Sequence, residues 1–140
     1  MINTKIYKAI YILAEEMLEA DRRHDQQAFD ALYAELKAIC IDNEGTDKDH
    51  PEQWETLADF TVDIDEALVI YDKALAKANA IDSKDHMSSI AFSMAVLQAE
   101  MGKKDAAIEN LRNAKDTVNT VEDKAFKVEI DELLAKLLAE

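Results

Sequence analysis

Three histidines with neighbouring aspartates are the residues of this 140-residue chain whose types suit metal binding. They occur in the segments His24-Asp25, Asp47-Lys-Asp-His50 and Asp82-Ser-Lys-Asp-His86, and imidazole and carboxylate groups are common ligands of divalent metals. Their spacing matches no metal motif, because the sequence has no HExxH segment, no pair of cysteines and no two histidines four residues apart. We therefore expect no metal site and interpret these histidines as solvated turn residues.

The segment DNEGTDKDH, residues 42–50, combines carboxylates with a glycine and so raises the question of calcium binding. An EF-hand loop needs a glycine at its sixth position and a glutamate at its twelfth, and no frame that starts at Asp42, Glu44 or Asp47 supplies both. Two glycines are also too few for a phosphate-binding loop, and no catalytic triad pattern is present. We predict a protein without a cofactor and without enzymatic activity.

The charge balance restricts the kinds of partner. The chain carries 30 acidic and 16 basic residues, a formal net charge of −14, whereas phosphates and anionic membranes are contacted by clustered lysines and arginines. We therefore expect neither nucleic acid nor a membrane as partner. Lys8 and Glu15 interrupt the apolar N-terminal segment, which predicts neither a signal peptide nor a membrane span. With one cysteine, Cys40, expected to be buried, we predict a cytoplasmic protein.

The acidic residues are concentrated between Asp42 and Glu66, where ten acids accompany a single base, Lys48. A local concentration of one charge speeds the encounter with an oppositely charged partner and is screened by salt. We predict an acidic surface that docks a basic segment of a partner protein, with plain solubility as the alternative. The predicted acidic surface consists of Asp42, Glu44, Asp47, Asp49, Glu52, Glu55 and Asp59.

The elements that position these residues are helices. Apolar residues recur at intervals of three and four along most of the chain, and two glycines and one proline leave little turn chemistry for a sheet. Pro51 suits the first turn of a helix, and Gly102 suits the left-handed residue after the last turn. We predict an all-α chain of about seven helices, over residues 4–22, 26–41, 51–60, 63–81, 83–101, 105–118 and 121–139.

Three of these helices share a pattern of a small residue followed by a large one. It begins at Ala28, Ala67 and Ala107, which are 39 and then 40 residues apart. A small side chain lets the two helices of a hairpin approach closely, and a bulky neighbour fills the next groove. The pattern predicts stacked antiparallel hairpins at about 4–41, 51–81 and 83–118 within a single domain, 1–140. An unrelated helical bundle is the alternative.

The third hairpin carries Ala95, Gly102, Ala107, Leu111 and Ala114 at small-residue, turn and packing positions. In these positions residues 88–115 resemble the tetratricopeptide repeat (TPR), although the spacing of about 40 residues exceeds the usual 34. The resemblance implies a right-handed superhelix of hairpins, with a C-terminal capping helix at about 121–139 that covers the last hairpin.

The resemblance also implies which residues meet a partner. The inner face of stacked hairpins is lined by the first helix of each pair, and on it would lie Ser89, Phe92, Val96 and Glu100. Phe92 and Val96 would form a small apolar strip suited to the side chains of a peptide. The alternative is that the C-terminal helix or the preceding hairpin covers them. Tyr7 and Tyr11 have the same spacing on the first helix, where half-buried packing is the favoured interpretation.

Two classes of function remain open. The first is a non-catalytic protein–protein interaction module, or small adaptor, that binds a peptide or helix of a partner protein. The second is a self-associating structural subunit, a homodimer formed through the apolar stripe between Phe126 and Leu138. Both are expectations drawn from the repeat pattern, because function inferred from a fold is an analogy.

Overall fold

The computed structural model describes residues 3–120 and 122–140, and within them it contains seven α-helices and no strand. The helices are α1 Thr4–Arg22, α2 Gln26–Asn43, α3 Pro51–Asp59, α4 Ile64–Ala80, α5 Lys84–Glu100, α6 Lys104–Thr117 and α7 Lys124–Ala139. The all-α prediction is confirmed, and the predicted bounds lie within a few residues of these. Residue 121, the predicted start of the last helix, lies outside the described residues.

The chain divides into two compact units, Met1–Ile70 (unit 1) and Tyr71–Glu140 (unit 2). The boundary between the units falls inside α4. The second predicted hairpin, 51–81, therefore has residues in both units, and its pairing and the single-domain organisation stay predictions. Packing of consecutive helices within each unit agrees with the predicted hairpins.

In unit 1, α1 and α2 pack as a hairpin and α3 packs on both. Each of the first two helices begins at a side-chain cap: Asn3 Oδ1 accepts from the Ile6 amide and Asp25 Oδ1 from the Ala28 amide, each at 3.1 Å. The apolar stripes that the sequence pattern predicted supply the core of this unit. Its buried members on these three helices are Ile10, Leu13, Met17, Ala20, Leu36, Cys40, Trp54, Leu57 and Ala58.

The acidic loop between α2 and α3, residues 44–50, is tied to α3 by two hydrogen bonds, and a third lies within the loop. Trp54 Nε1 donates to Asp49 Oδ1 at 2.8 Å, and the Gly45 amide donates to the other oxygen of the same carboxylate at 3.0 Å. Gln53 Nε2 donates to the Lys48 carbonyl at 2.8 Å. These bonds satisfy polar groups that the turn residues leave without helical partners.

In unit 2, α5 and α6 form a hairpin around Gly102, whose φ of 75° is left-handed. The Gly102 amide donates a hydrogen bond to the Ala99 carbonyl, and the Lys103 amide donates one to the Gln98 carbonyl. These two hydrogen bonds are the pattern of a Schellman motif. Glycine is favoured at this position because a side chain there is strained. The predicted role of Gly102 at the end of α5 is confirmed.

The third helix of unit 2, α7, packs on α6 and closes the core of this unit. Small residues dominate the α5 and α6 sides of the core, so these helices approach closely, and α7 supplies large residues. The core cluster consists of Ala91, Ala95, Ala107, Leu111, Ala114, Val118, Ile130, Leu134 and Leu137. This arrangement confirms the predicted stacked hairpin with a C-terminal capping helix.

Lys115 on α6 also links this helix to α7 through Asp131, which forms a second ion pair with Lys127 within α7. Lys127 Nζ lies 2.9 Å from one carboxylate oxygen and Lys115 Nζ lies 3.1 Å from the other. The hydrogen bonds from Lys127 and Lys115 hold the pKa of Asp131 below its usual value, because they favour the ionised carboxylate. In addition to the apolar core contact, α6 and α7 are therefore joined by the ion pair between Lys115 and Asp131.

Candidate functional site

The predicted concave-face residues lie on α5. Phe92, the aromatic residue among them, packs against the capping helix α7. The rings of Phe92 and Phe126 meet edge to face, with centroids 5.2 Å apart and an interplanar angle of 79°. Ser89 and Val96 are half-buried and Glu100 is exposed. Phe92 is thus partly buried against the C-terminal helix, which is the alternative that the sequence left open.

We expect a coupling energy of about 0.5–1.5 kcal/mol between Phe92 and Phe126, because edge-to-face rings attract each other beyond their area burial. The measurement is a double-mutant cycle of Phe92→Leu and Phe126→Leu in urea denaturation. As a control, Phe92→Leu is combined with Val128→Ala, an exposed position on the same helix. That pair should be additive within about 0.5 kcal/mol. Equal additivity for both pairs would contradict the packing of Phe92 on α7.

The apolar stripe of α7 is largely used within unit 2. Ile130, Leu134 and Leu137 are buried in the core cluster, and Phe126 and Leu133 pack against its edge. Leu138 stays 53% exposed. A homodimer formed through this stripe would have to take its contact surface from the core of unit 2, so the burial favours the capping interpretation of the stripe.

The predicted acidic surface divides into exposed and engaged members. Asp42, Glu44, Asp47 and Asp59 are exposed, whereas Asp49 and Glu52 are half-buried. Glu55 is only 8% exposed. The Asp49 carboxylate accepts hydrogen bonds from Trp54 on α3 and from Gly45 within the acidic loop. The count of charges in the sequence therefore overstates the carboxylates that this segment presents to a partner.

The histidines also have structural positions. His24 lies in the α1–α2 turn with a left-handed φ of 57°, and its side chain is exposed as predicted. His50 instead serves α3, where its Nδ1 accepts a hydrogen bond from the Glu52 amide at 3.1 Å. Pro51 follows it at the first helical position. A ring nitrogen here performs the capping role that serine or aspartate usually performs.

The charge of the chain belongs mainly to unit 1. This unit contains 17 acidic and 6 basic residues and unit 2 contains 13 and 10, which gives net charges of −11 and −3. The surplus extends beyond the acidic loop, because α1 and α2 also carry more acids than bases. The net charge of unit 1 therefore favours cationic over anionic partners.

A row of uncovered apolar side chains runs along α1. Tyr7, Tyr11, Ala14 and Leu18 are spaced by four, three and four residues, which places them on one side of the helix. Tyr11 is 57% and Leu18 is 60% exposed, and Tyr7 is also exposed. We call these four residues the α1 stripe. At 44% and 57% exposure, Tyr7 and Tyr11 are close to the half-buried packing that the sequence interpretation favoured.

The α1 stripe ends at a groove of about 280 Å³ in unit 1. Leu18 lines it from α1, Phe29 from α2, and the residues after α3 close it, with Val62 83% exposed. Its full lining is Leu18, Asp21, Phe29, Asp59, Phe60, Thr61 and Val62, with two carboxylates and no cation. We call this the Leu18 groove.

The wall of the Leu18 groove is held in place by specific contacts. The Thr61 hydroxyl lies 2.7 Å from the Tyr33 hydroxyl on α2 and donates to the Leu57 carbonyl at 2.8 Å. The rings of Phe29 and Phe60 pack with centroids 6.3 Å apart. The segment after α3 is thus fixed to α2, so the groove is present before any partner arrives.

Polar chemistry along the α1 stripe is restricted to the tyrosine hydroxyls. The Tyr11 hydroxyl donates a hydrogen bond to Glu15, and this bond together with the charge of Glu15 raises the pKa of Tyr11 above its usual value. The α1 stripe and the Leu18 groove suit binding of apolar surface beside positive charge, and they contain no pair of a nucleophile and a base.

Comparison of the chain with protein-family models, with curated proteins and with solved structures found no match. Among the described residues, no helix has the length and apolar content needed to cross a bilayer.

Proposed function

We propose that this chain is a non-catalytic protein-interaction module that binds a segment of a partner protein on unit 1, at the α1 stripe and the Leu18 groove. The observation that carries the proposal is that the exposed side chains of Tyr7, Tyr11 and Leu18 lie on one side of α1 and lead to a groove in which Val62 is also exposed. Contiguous apolar surface with a polar rim is typical of protein-interaction sites. Tyrosine is enriched among the residues that dominate binding energy.

A TPR-like architecture supports the proposal. Each position on which the resemblance rests has the expected environment: Ala95, Ala107, Leu111 and Ala114 are fully buried, and Gly102 ends α5 in a left-handed conformation. Stacked hairpins present extended side-chain surfaces for other proteins. On this proposal the partner-binding surface lies on α1, since Phe92 is packed against Phe126.

The exposed leucine provides a direct test. Full burial of a leucine side chain contributes about 1.5–3 kcal/mol, so Leu18→Ser should weaken partner binding about tenfold or more. Ile12→Ser is the matched control, because Ile12 is 52% exposed on the same helix but lies outside the α1 stripe. The measurement is affinity capture from a lysate of the source cells, with quantitative mass spectrometry of the proteins retained by wild type and both variants.

The expected result is a protein retained by wild type and by Ile12→Ser and lost from Leu18→Ser. Equal retention of the partner by wild type, Leu18→Ser and Ile12→Ser would show that the α1 stripe is not the binding surface. Light scattering of the same samples tests the alternative function, a self-associating structural subunit. A stable dimer that Leu18→Ser leaves intact, with no other protein captured, would replace the interaction module by that alternative.

A further inference from the structure

We infer that the segment bound by the α1 stripe and the Leu18 groove is an amphipathic helix whose apolar side is flanked by lysines or arginines. This inference rests on the proposed function and specifies the chemistry of its partner. It draws on the geometry of the α1 stripe, on the polar groups that the stripe lacks, and on the charge around the Leu18 groove.

The geometry of the α1 stripe matches another helix. Tyr7 and Leu18 are 11 residues apart, about 16 Å or three turns along the helix axis. Side chains spaced by four, three and four residues form a ridge that fits the groove between ridges of a second helix. The Leu18 groove then accepts a large apolar side chain from the partner helix at one end of this contact.

An extended peptide fits this surface less well. Its backbone amides and carbonyls need hydrogen-bond partners when they are removed from water. The polar side-chain groups of the α1 stripe are the hydroxyls of Tyr7 and Tyr11, too few to pair the amides and carbonyls of an extended backbone. A helix satisfies its own backbone groups and needs only side-chain contacts, which are what the α1 stripe offers.

Charge selects the flanking residues of the partner. Asp21 and Asp59 line the Leu18 groove, and unit 1 as a whole carries a net charge of −11. The nearby arginines at the end of α1, Arg22 and Arg23, form ion pairs with Glu19. A second copy of unit 1 would bring −11 against −11, so a basic partner is favoured over a symmetric dimer through this surface.

The charges near the α1 stripe differ between its two ends. Lys5 and Lys8 lie on the N-terminal half of α1, whereas the carboxylates of the groove are at the Leu18 end. The basic residues of the partner are therefore expected beside the Leu18 groove. Replacing Asp21 and Asp59 should consequently have a larger effect than an equal charge change elsewhere on unit 1.

Designed peptides test this inference. The probes are fluorescein-labelled amphipathic helices of about 18 residues with one leucine stripe. In three of them the flanking residues are all lysine, all glutamine or all glutamate, and a fourth has the lysine composition with its leucines scrambled. Binding is measured by fluorescence anisotropy at about 50 mM and about 300 mM salt. The proteins are wild type, Leu18→Ser, Ile12→Ser, Asp21→Asn/Asp59→Asn and the equal-charge control Asp42→Asn/Asp47→Asn, each checked for helical content by circular dichroism.

The expected order of affinity is lysine above glutamine above glutamate, with the scrambled peptide at least about tenfold weaker than the lysine peptide. Leu18→Ser should weaken the lysine peptide about tenfold and Ile12→Ser should not. Asp21→Asn/Asp59→Asn should reduce both the affinity for the lysine peptide and its salt dependence, and more so than Asp42→Asn/Asp47→Asn.

Several outcomes would overturn the inference. They are tighter binding of the glutamine peptide, equal binding of the scrambled peptide, equal effects of the two aspartate pairs, and absence of binding by every peptide. If these occur while Leu18→Ser still loses a captured protein, the interaction module stands and only the basic helix is wrong. If capture is also unaffected by Leu18→Ser, the proposed function fails with it.

Discussion

Replacing Leu111 with alanine is expected to lower the free energy of unfolding by about 2–5 kcal/mol, the largest effect of any single change considered for this chain. Leu111 is fully buried on α6, in the core cluster that α5 and α7 complete. Because its neighbours include the alanines of α5 and α6, few flexible side chains are available to fill the space that the leucine leaves. The cost therefore combines lost transfer free energy with a residual cavity.

The measurement is urea denaturation followed by circular dichroism at 222 nm. The emission of Trp54, the only tryptophan and a residue of unit 1, checks at zero denaturant that unit 1 of the variant is folded. Leu138→Ala is the matched control, since Leu138 is exposed on α7 and its truncation should cost less than about 1 kcal/mol. Similar losses for Leu111→Ala and Leu138→Ala would argue against a closely packed core in unit 2.

The opposite change, Ala114→Leu, is expected to destabilise the chain by about 1–3 kcal/mol, or more if the backbone cannot shift. Ala114 is fully buried on α6, where it belongs to the same core cluster as Leu111. A leucine there adds three carbon atoms to a contact already formed at close range, so side chains must leave their rotamers or the helices must separate. This is the physical meaning of the alanines that recur through the sequence.

Ala135→Leu provides the comparison for this change. Ala135 is exposed on α7, and alanine and leucine have nearly equal helix propensities, so this variant should keep the stability of the wild type within about 0.5 kcal/mol. Both variants are measured by the same urea transition as Leu111→Ala. An Ala114→Leu protein as stable as the wild type would show that the site has spare volume and that close approach does not explain its alanine.

Features that depend on neighbours in the chain were predictable from the sequence. The bounds of α1, predicted as 4–22 and observed as Thr4–Arg22, follow from the apolar period and from the polar residues after it. The start of α4 likewise depends on neighbours in the chain, because Asp63 Oδ1 accepts a hydrogen bond from the Glu66 amide at 3.1 Å. The end of α5 at Gly102 was predictable because it depends only on the left-handed backbone conformation of that residue.

Features that depend on which helices pack against each other could not be predicted from the sequence. The spacing of Phe92 and Val96 identified one side of α5, yet it could not show that Phe126, 34 residues later, packs on that ring. The count of acids between Asp42 and Glu66 likewise contained no information on the burial of Glu55. Both outcomes are decided by contacts between elements distant in sequence.

The α1 stripe shows the same division on a single helix. The sequence determined that Tyr7, Tyr11 and Leu18 share one side of α1, because helical spacing alone sets that angle. It also determined the helical class, the close approach of α5 and α6 through alanines, and the acidic character of unit 1. Only the tertiary structure decided that Tyr11 and Leu18 stay exposed while Phe92 packs against Phe126 and while Ile130, Leu134 and Leu137 of the α7 stripe are buried. Exposure depends on the placement of neighbouring helices, and local propensity does not encode that placement.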